Sequence, residues 1–104
     1  MFDVLVLLSA GPGGVGALRA YEQRVVPILY EYNGELLSAF SPRRDGDDAT
    51  PDEIHLLRFK SEDDFVAFRR DPRVGFLASE RDRAISNTVV YVSDKSVSYD
   101  PGDA

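Results

Sequence analysis

Cysteine and tryptophan are absent from this chain of 104 residues, and histidine occurs once. Without cysteine the protein cannot form a disulfide bond, a thiol nucleophile or a zinc site built on thiolates. The single histidine, His55, also excludes a cluster of histidine ligands and a relay of two histidines. The available chemistry therefore rests on arginine, tyrosine, carboxylates and one imidazole, and we expect neither a cofactor nor a protein-bound metal.

Basic residues and long hydrophobic runs are also scarce. Twelve Lys and Arg face 18 Asp and Glu, so the formal net charge is −6, whereas a nucleic-acid partner requires a basic surface. The longest run of large apolar residues, Val4–Leu8, is far shorter than the roughly 20 residues of a membrane-spanning helix. Asp3 occupies the place where a secretory signal would be basic. We expect a cytoplasmic protein with no nucleic-acid or membrane partner.

The residues that are present alternate between strand and helix patterns in the order βαββαβ. With right-handed crossovers, this order predicts an α+β fold, whose antiparallel sheet has the strand order 4-1-3-2 and helices on one face. We expect one domain over residues 1–95 and a polar tail over 96–104. The predicted strands cover residues 2–8, 35–40, 53–60 and 87–93; the predicted helices cover 15–32 and, with a break before Asp71-Pro72, 62–83.

Three of the predicted strands carry apolar residues on both of their faces, although such a sheet normally has one wet face. Helices of the same chain can cover only one face, so the other is left as an exposed apolar surface. Two-fold packing of sheet on sheet removes it from water, and we expect a homodimer through this open face. Its apolar residues are Leu5, Leu7, Ile54, Leu56, Val89 and Tyr91.

Several short motifs carry a family resemblance over residues 2–95. They are Tyr21-Glu22, Pro27, the segment Tyr32–Leu37, Phe59-Lys60-Ser61, Asp71-Pro72 and Glu80-Arg81. With them the chain resembles the ferredoxin-like, dimeric α+β-barrel superfamily, and within it a bacterial family of unknown function. That family has Tyr-Gly-Gly before its second strand and a Ser-Pro-x-Tyr…Arg helix. Here Asn33 replaces the first glycine and Val74 the tyrosine, so no role of that tyrosine is carried over.

The superfamily includes cofactor-free monooxygenases, muconolactone-isomerase-like enzymes, haem-handling proteins and regulatory ligand-binding domains. The fold alone does not choose among them. A haem-handling relative would need a histidine on a helix, whereas His55 lies on a predicted strand. We therefore retain two hypotheses: a cofactor-free oxygenase- or isomerase-like enzyme acting on a small metabolite, and a non-catalytic dimer that binds a small ligand or acts as an accessory protein.

The segment from Gly11 to Gly16 has the G-x-G-x-x-G pattern of dinucleotide-binding proteins, between a strand and a helix. In those proteins an acidic residue ends the next strand of a parallel unit. Here Glu35 begins the second predicted strand and Phe40 ends it. We interpret the segment as a flexible strand-to-helix connection, whose free amide groups could still attract an anion.

Five residues are candidates for a site. His55 shares the face of Leu57 and Phe59, which we assign to the helices, and is either a hydrogen-bonded core residue or a proton carrier. Arg58 lies on the opposite face near Asp3, where it is either half of a structural ion pair or an anion-binding group in an interior cavity.

Arg81 matches the arginine of the family's helix, and it is either a solvated helix residue or a second oxyanion-binding group. Tyr21 and Tyr32 share the apolar stripe of the first helix, as core residues or as hydroxyl groups that bind a ligand. In the enzyme hypothesis the two arginines hold an oxyanion, while His55 or a tyrosine moves a proton.

Overall fold

The fold is described from a computed structural model, which covers the backbone of residues 1–76 and 78–101 and their side chains outside residues 75–79. The sheet order is β2-β3-β1-β4, with every neighbouring pair antiparallel, so the predicted strand order and the α+β fold class are confirmed. The elements are β1 (Phe2–Ala10), α1 (Gly14–Tyr30), β2 (Gly34–Phe40), β3 (Glu53–Phe59), α2 (Glu62–Arg69), α3 (Pro72–Phe76), α4 (Ala78–Ala84) and β4 (Ile85–Ser93).

Helices α2 and α3 each begin with a side chain that caps the N-terminus. The hydroxyl of Ser61 accepts a hydrogen bond from the amide of Asp64 at 3.2 Å, and three acidic residues follow Ser61 in the first turn of α2. One turn beyond α2, the carboxylate of Asp71 accepts a hydrogen bond from the amide of Arg73 at 2.7 Å. Pro72 then occupies the first position of α3, where its missing amide hydrogen costs nothing.

Helix α1 ends at Tyr30, so Tyr32 lies beyond it and the predicted end of this helix is wrong by two residues. Asn33 takes the left-handed conformation, with φ 56°. Gly34 is needed for a different reason: a Cβ atom there would lie 2.5 Å from Leu29 Cδ1 and 2.7 Å from Phe59 Cε1. The turn into β2 therefore depends on one residue with positive φ and one residue without a side chain.

The core lies between the helices and one face of the sheet. Burial alternates along β3: Glu53, His55, Leu57 and Phe59 are buried, whereas the residues between them are partly exposed. On the opposite face the residues of β3 are partly exposed, and the Cα atoms span only 17 Å in the thinnest direction. Two buried clusters make up the core: Leu8, Leu18, Tyr21, Val25, Ala84 and Ile85 form one, and Phe2, Val4, Leu29, Leu57 and Phe59 form the other.

The glycine-rich loop between β1 and α1 packs against the end of α4. The amide of Gly11 donates to the carbonyl of Ala84 at 2.8 Å, and that of Gly13 donates to the carbonyl of Arg83 at 3.0 Å. A Cβ atom at Gly11 would lie 2.5 Å from the same Arg83 carbonyl. The loop is thus the predicted strand-to-helix connection, and two of its amides are already bonded to backbone rather than open to an anion.

Within residues 1–76 and 78–101, no helix combines the length and the apolar character needed to cross a bilayer.

Candidate functional site

A cavity of about 410 Å³ lies between the helix-covered face of the sheet and helices α1, α2 and α4. Most of its wall is apolar and comes from the sheet, from α1 and from the aromatic side of α2. This wall suits a hydrocarbon skeleton. Its apolar residues include Val6, Val25, Leu57, Phe65, Phe68 and Val90.

Apart from Arg69 of α2, the remaining part of the cavity wall is polar and comes from four elements. Helix α1 contributes Tyr21 and Glu22, strand β3 contributes His55, helix α4 contributes Arg81 and strand β4 contributes Thr88. We call these five residues the polar end of the cavity. Because each belongs to a helix or a strand, the backbone fixes their relative positions.

His55 lies between two carboxylates. Its Nε2 atom is 2.9 Å from Glu53 Oε1, and its Nδ1 atom is 3.9 Å from Glu22 Oε2. The second oxygen of Glu53 accepts a hydrogen bond from Arg19 Nε at 2.9 Å. His55 is 5% exposed, so bulk water does not compete for these contacts.

The two carboxylates differ in their acidity. Burial raises the pKa of Glu22, an effect that Arg81 and the protonated form of His55 oppose and the negative charge of Glu53 reinforces. Burial alone would also raise the pKa of Glu53, but hydrogen bonds from His55 and Arg19 outweigh it and hold that pKa below its ordinary value. The surroundings therefore shift the pKa values of the two carboxylates in opposite directions, an environment that separates acid from base roles.

Arg81 is the cation of the polar end. Its Nη2 atom donates to the hydroxyl of Thr88 at 3.2 Å. The neighbouring Glu80 forms an ion pair with Arg24 at 2.8 Å, which ties α4 to α1. Burial raises the pKa of Tyr21, and the guanidinium of Arg81 partly offsets this shift. A neutral phenol and a cation thus lie together at the polar end.

Three of the five predicted site residues, Tyr21, His55 and Arg81, line this cavity. Arg58 does not, because it lies on the open face, where its Nε and Nη2 atoms donate to Asp3 at 2.7 and 3.3 Å. This is the ion pair foreseen in the structural interpretation of Arg58, and it lowers the pKa of Asp3. Tyr32 also lies outside the cavity lining, where its hydroxyl donates to Asp71 at 2.6 Å.

Glu22 and Glu53 were not among the predicted site residues, although the sequence carried a signal for each. Glu22 follows Tyr21 in one of the motifs that carry the family resemblance, and Glu53 has the same strand parity as His55. Among the side chains that the structure describes, no three His, Asp or Glu residues are arranged to hold a metal ion.

The sequence matches no protein-family model and no curated protein. Solved structures do match the fold. One is a protein of unknown function from Rhodopseudomonas palustris, with a TM-score of 0.77 and 18% identity over 93% of this chain and 83% of that one. Another is a dimeric ferredoxin-like protein of unknown function from Thermobifida fusca, with a TM-score of 0.64, 11% identity and 88% of each chain covered.

A third match is a Nitrosomonas europaea protein described as a proposed antibiotic biosynthesis monooxygenase, with a TM-score of 0.68 and 11% identity over 91% of this chain and 98% of that one. At these identities the similarity establishes the fold alone. The chain has a ferredoxin-like α+β fold, and two of the structures that share it belong to proteins of unknown function.

Proposed function

We propose that this protein is an enzyme that removes a proton from the carbon next to a carbonyl group in a small, largely apolar metabolite. The observation that carries the proposal is that Glu22, His55 and Arg81 line one largely apolar cavity, with Glu22 3.9 Å from His55. The cavity volume, about 410 Å³, lies in the range typical of small-molecule sites.

In the proposed step the C–H bond breaks and its proton passes to the Glu22–His55 pair. The bonding electrons form an enolate, whose negative oxygen lies against Arg81 and the hydroxyl of Tyr21. A carboxylate whose pKa is raised by burial is a stronger base than an exposed carboxylate, which suits it to this transfer. In an isomerase the proton then returns to a different carbon, whereas in a cofactor-free oxygenase the enolate reacts with molecular oxygen.

The test is proton exchange in D₂O with 2-tetralone, an apolar bicyclic ketone whose C–H groups beside the carbonyl are acidic. Proton NMR follows the loss of those signals with the protein present and absent. We expect catalysed exchange by the wild type and a loss of about 10²-fold in Glu22→Gln or His55→Gln. Glu31→Gln is the matched control, because Glu31 pairs with Arg73 on the surface and does not line the cavity.

Two other outcomes have defined meanings. Chemical-shift changes at the polar end without catalysed exchange would favour the second hypothesis, a non-catalytic ligand-binding protein. Exchange that persists in both cavity variants would contradict the proposal, which assigns the proton transfer to Glu22 and His55.

We also propose that the working unit is a homodimer joined through the open face of the sheet. The single chain exposes 7098 Å², whereas a compact monomer of this mass exposes about 5800 Å². The exposed residues 94–101 contribute to this difference, and a standard interface, which removes about 800 Å² from each partner, is of a size to account for the rest. The apolar residues Leu5 and Tyr91 lie opposite each other on this face.

Sedimentation velocity tests the dimer. We expect the wild type to sediment as a dimer and Leu56→Glu, which places a charge at the centre of the open face, to sediment as a monomer of about 11.5 kDa. Ala20→Glu is the matched control, because it adds the same charge to an exposed position of α1. A monomeric wild type at micromolar concentration would contradict this part of the proposal.

A further inference from the structure

We infer that Glu53 is a positioning residue that holds His55 with its proton on Nε2 and leaves Nδ1 free to accept a proton on the side of Glu22. The tautomer follows from contacts alone. Its catalytic meaning rests on the proposed function.

Both oxygens of Glu53 are occupied by nitrogen donors. Oε2 accepts from Arg19 Nε at 2.9 Å, and Oε1 lies 2.9 Å from His55 Nε2. A carboxylate that is bonded to a guanidinium stays ionised and can only accept hydrogen bonds. Nε2 must therefore carry the hydrogen. In a neutral imidazole the other nitrogen is then an acceptor.

The free nitrogen has one carboxylate near it. Nδ1 of His55 lies 3.9 Å from Glu22 Oε2, which is longer than a direct hydrogen bond and within the reach of a small side-chain rotation. Burial favours the protonated form of Glu22. A proton that Glu22 takes from the cavity can thus pass to Nδ1, and the imidazolium that forms is already paired with ionised Glu53. This is the orienting role of a buried carboxylate behind a histidine base.

Arg19 connects this arrangement to the surface. A second cavity of about 390 Å³ lies between α1 and strands β2 and β3, and Glu22, Glu53, His55 and Arg19 all line it. The side chain of Arg19 is 61% exposed, whereas that of Glu53 is 11% exposed. The ionised carboxylate is therefore buried beside the imidazole while its counter-charge stays in contact with water, which lowers the cost of keeping Glu53 charged.

The experiment uses the fact that His55 is the only histidine, so a protein labelled with ¹⁵N-histidine gives a single imidazole signal set. A long-range ¹H–¹⁵N correlation spectrum distinguishes the protonated from the unprotonated ring nitrogen. At about pH 8 we expect the wild type to carry a proton on Nε2 and none on Nδ1. A proton on Nδ1, or on both nitrogens, would overturn the inference whether or not any variant folds.

The Glu53→Gln variant supplies the second arm. Arg19 Nε will bond the amide oxygen of the new side chain, which directs its NH₂ group at His55 Nε2. That nitrogen must then accept, so we expect the proton to move to Nδ1. Exchange of 2-tetralone is expected to fall about 10²-fold, because the base nitrogen is occupied. Glu31→Gln should change neither readout.

Retention of the Nε2 tautomer in folded Glu53→Gln would overturn the positioning role. If both tautomers are as expected but the wild type does not catalyse exchange, the proposed function fails while the assignment of Glu53 as the residue that orients His55 stands.

Discussion

Two glycines offer a matched pair of substitutions with opposite expected effects on stability. At Gly34, an added Cβ atom would lie 2.5 Å from Leu29 Cδ1, 2.7 Å from Phe59 Cε1 and 2.9 Å from the carbonyl oxygen of Leu29. The ring and the side chain can shift, but the carbonyl belongs to the last full turn of α1. At Gly16, in the first turn of α1, the same atom meets nothing within 4 Å.

The expected magnitudes follow from these surroundings. Overpacking a filled site costs about 1–3 kcal/mol, and the backbone contact places Gly34→Ala in the upper half of that range. Replacing an exposed helical glycine with alanine stabilises by about 0.5–1 kcal/mol, so Gly16→Ala should gain that amount. In a domain whose whole free energy of unfolding is about 5–15 kcal/mol, the two variants are easily told apart.

Urea denaturation followed by circular dichroism measures both changes. All variants are compared at one protein concentration, since unfolding of a dimer depends on concentration. The reasoning is refuted if Gly34→Ala unfolds within about 0.5 kcal/mol of the wild type, or if the two variants shift in the same direction.

Three further predictions concern charged groups. Arg58→Ala should leave 2-tetralone exchange unchanged whereas Arg81→Ala lowers it, because only Arg81 lines the cavity; equal losses measured by NMR would contradict this placement. Bonds from Arg73 and then from Tyr32 hold the pKa of Asp71 far below its ordinary value, so its stabilisation exists at neutral pH and is lost as the pH falls below about 4. The melting temperature of Asp71→Asn should therefore be lower than that of the wild type at about pH 7, and the two should converge in acid. A difference that stays constant with pH would contradict this stabilisation by ionised Asp71. Glu22 has a pKa raised by burial, so its contribution is favourable in acid and is lost as the pH rises through that pKa. We therefore expect Glu22→Gln to lose exchange activity while its melting temperature at about pH 7 equals or exceeds that of the wild type. A lower melting temperature at that pH would show that the buried carboxylate is a stabilising group.

The alternation of apolar residues was sufficient to predict the two faces of the sheet. Along β3 it placed His55 towards the helices and Arg58 on the opposite side, as the burial pattern shows. The antiparallel order also brought Asp3 beside Arg58, and the two residues are direct partners in the sheet register. These features depend on a period of two and on strand order, both of which are local or topological properties.

The site was harder to predict because apolar residues line both faces of the sheet. The sequence does not say which face encloses a cavity, so the enzyme hypothesis combined Arg58 with His55 although parity had already separated them. Tyr32 followed the helical stripe of α1, but the helix ends two residues earlier and the phenol points to Asp71 instead. Glu22 gains its importance from His55 across the layer, a contact that no spacing along α1 reveals.

The glycine-rich loop after β1 changes how its own motif should be interpreted. In nucleotide-binding proteins this glycine spacing lets a pyrophosphate approach the backbone. In this chain it lets the end of α4 approach instead, through the carbonyls of Arg83 and Ala84. A search by pattern alone would assign a cofactor to residues that serve as a docking point for a neighbouring segment. Arg81 lies on that docked helix, so a bulky substitution at Gly11 would act at a distance by displacing a cation from the cavity wall.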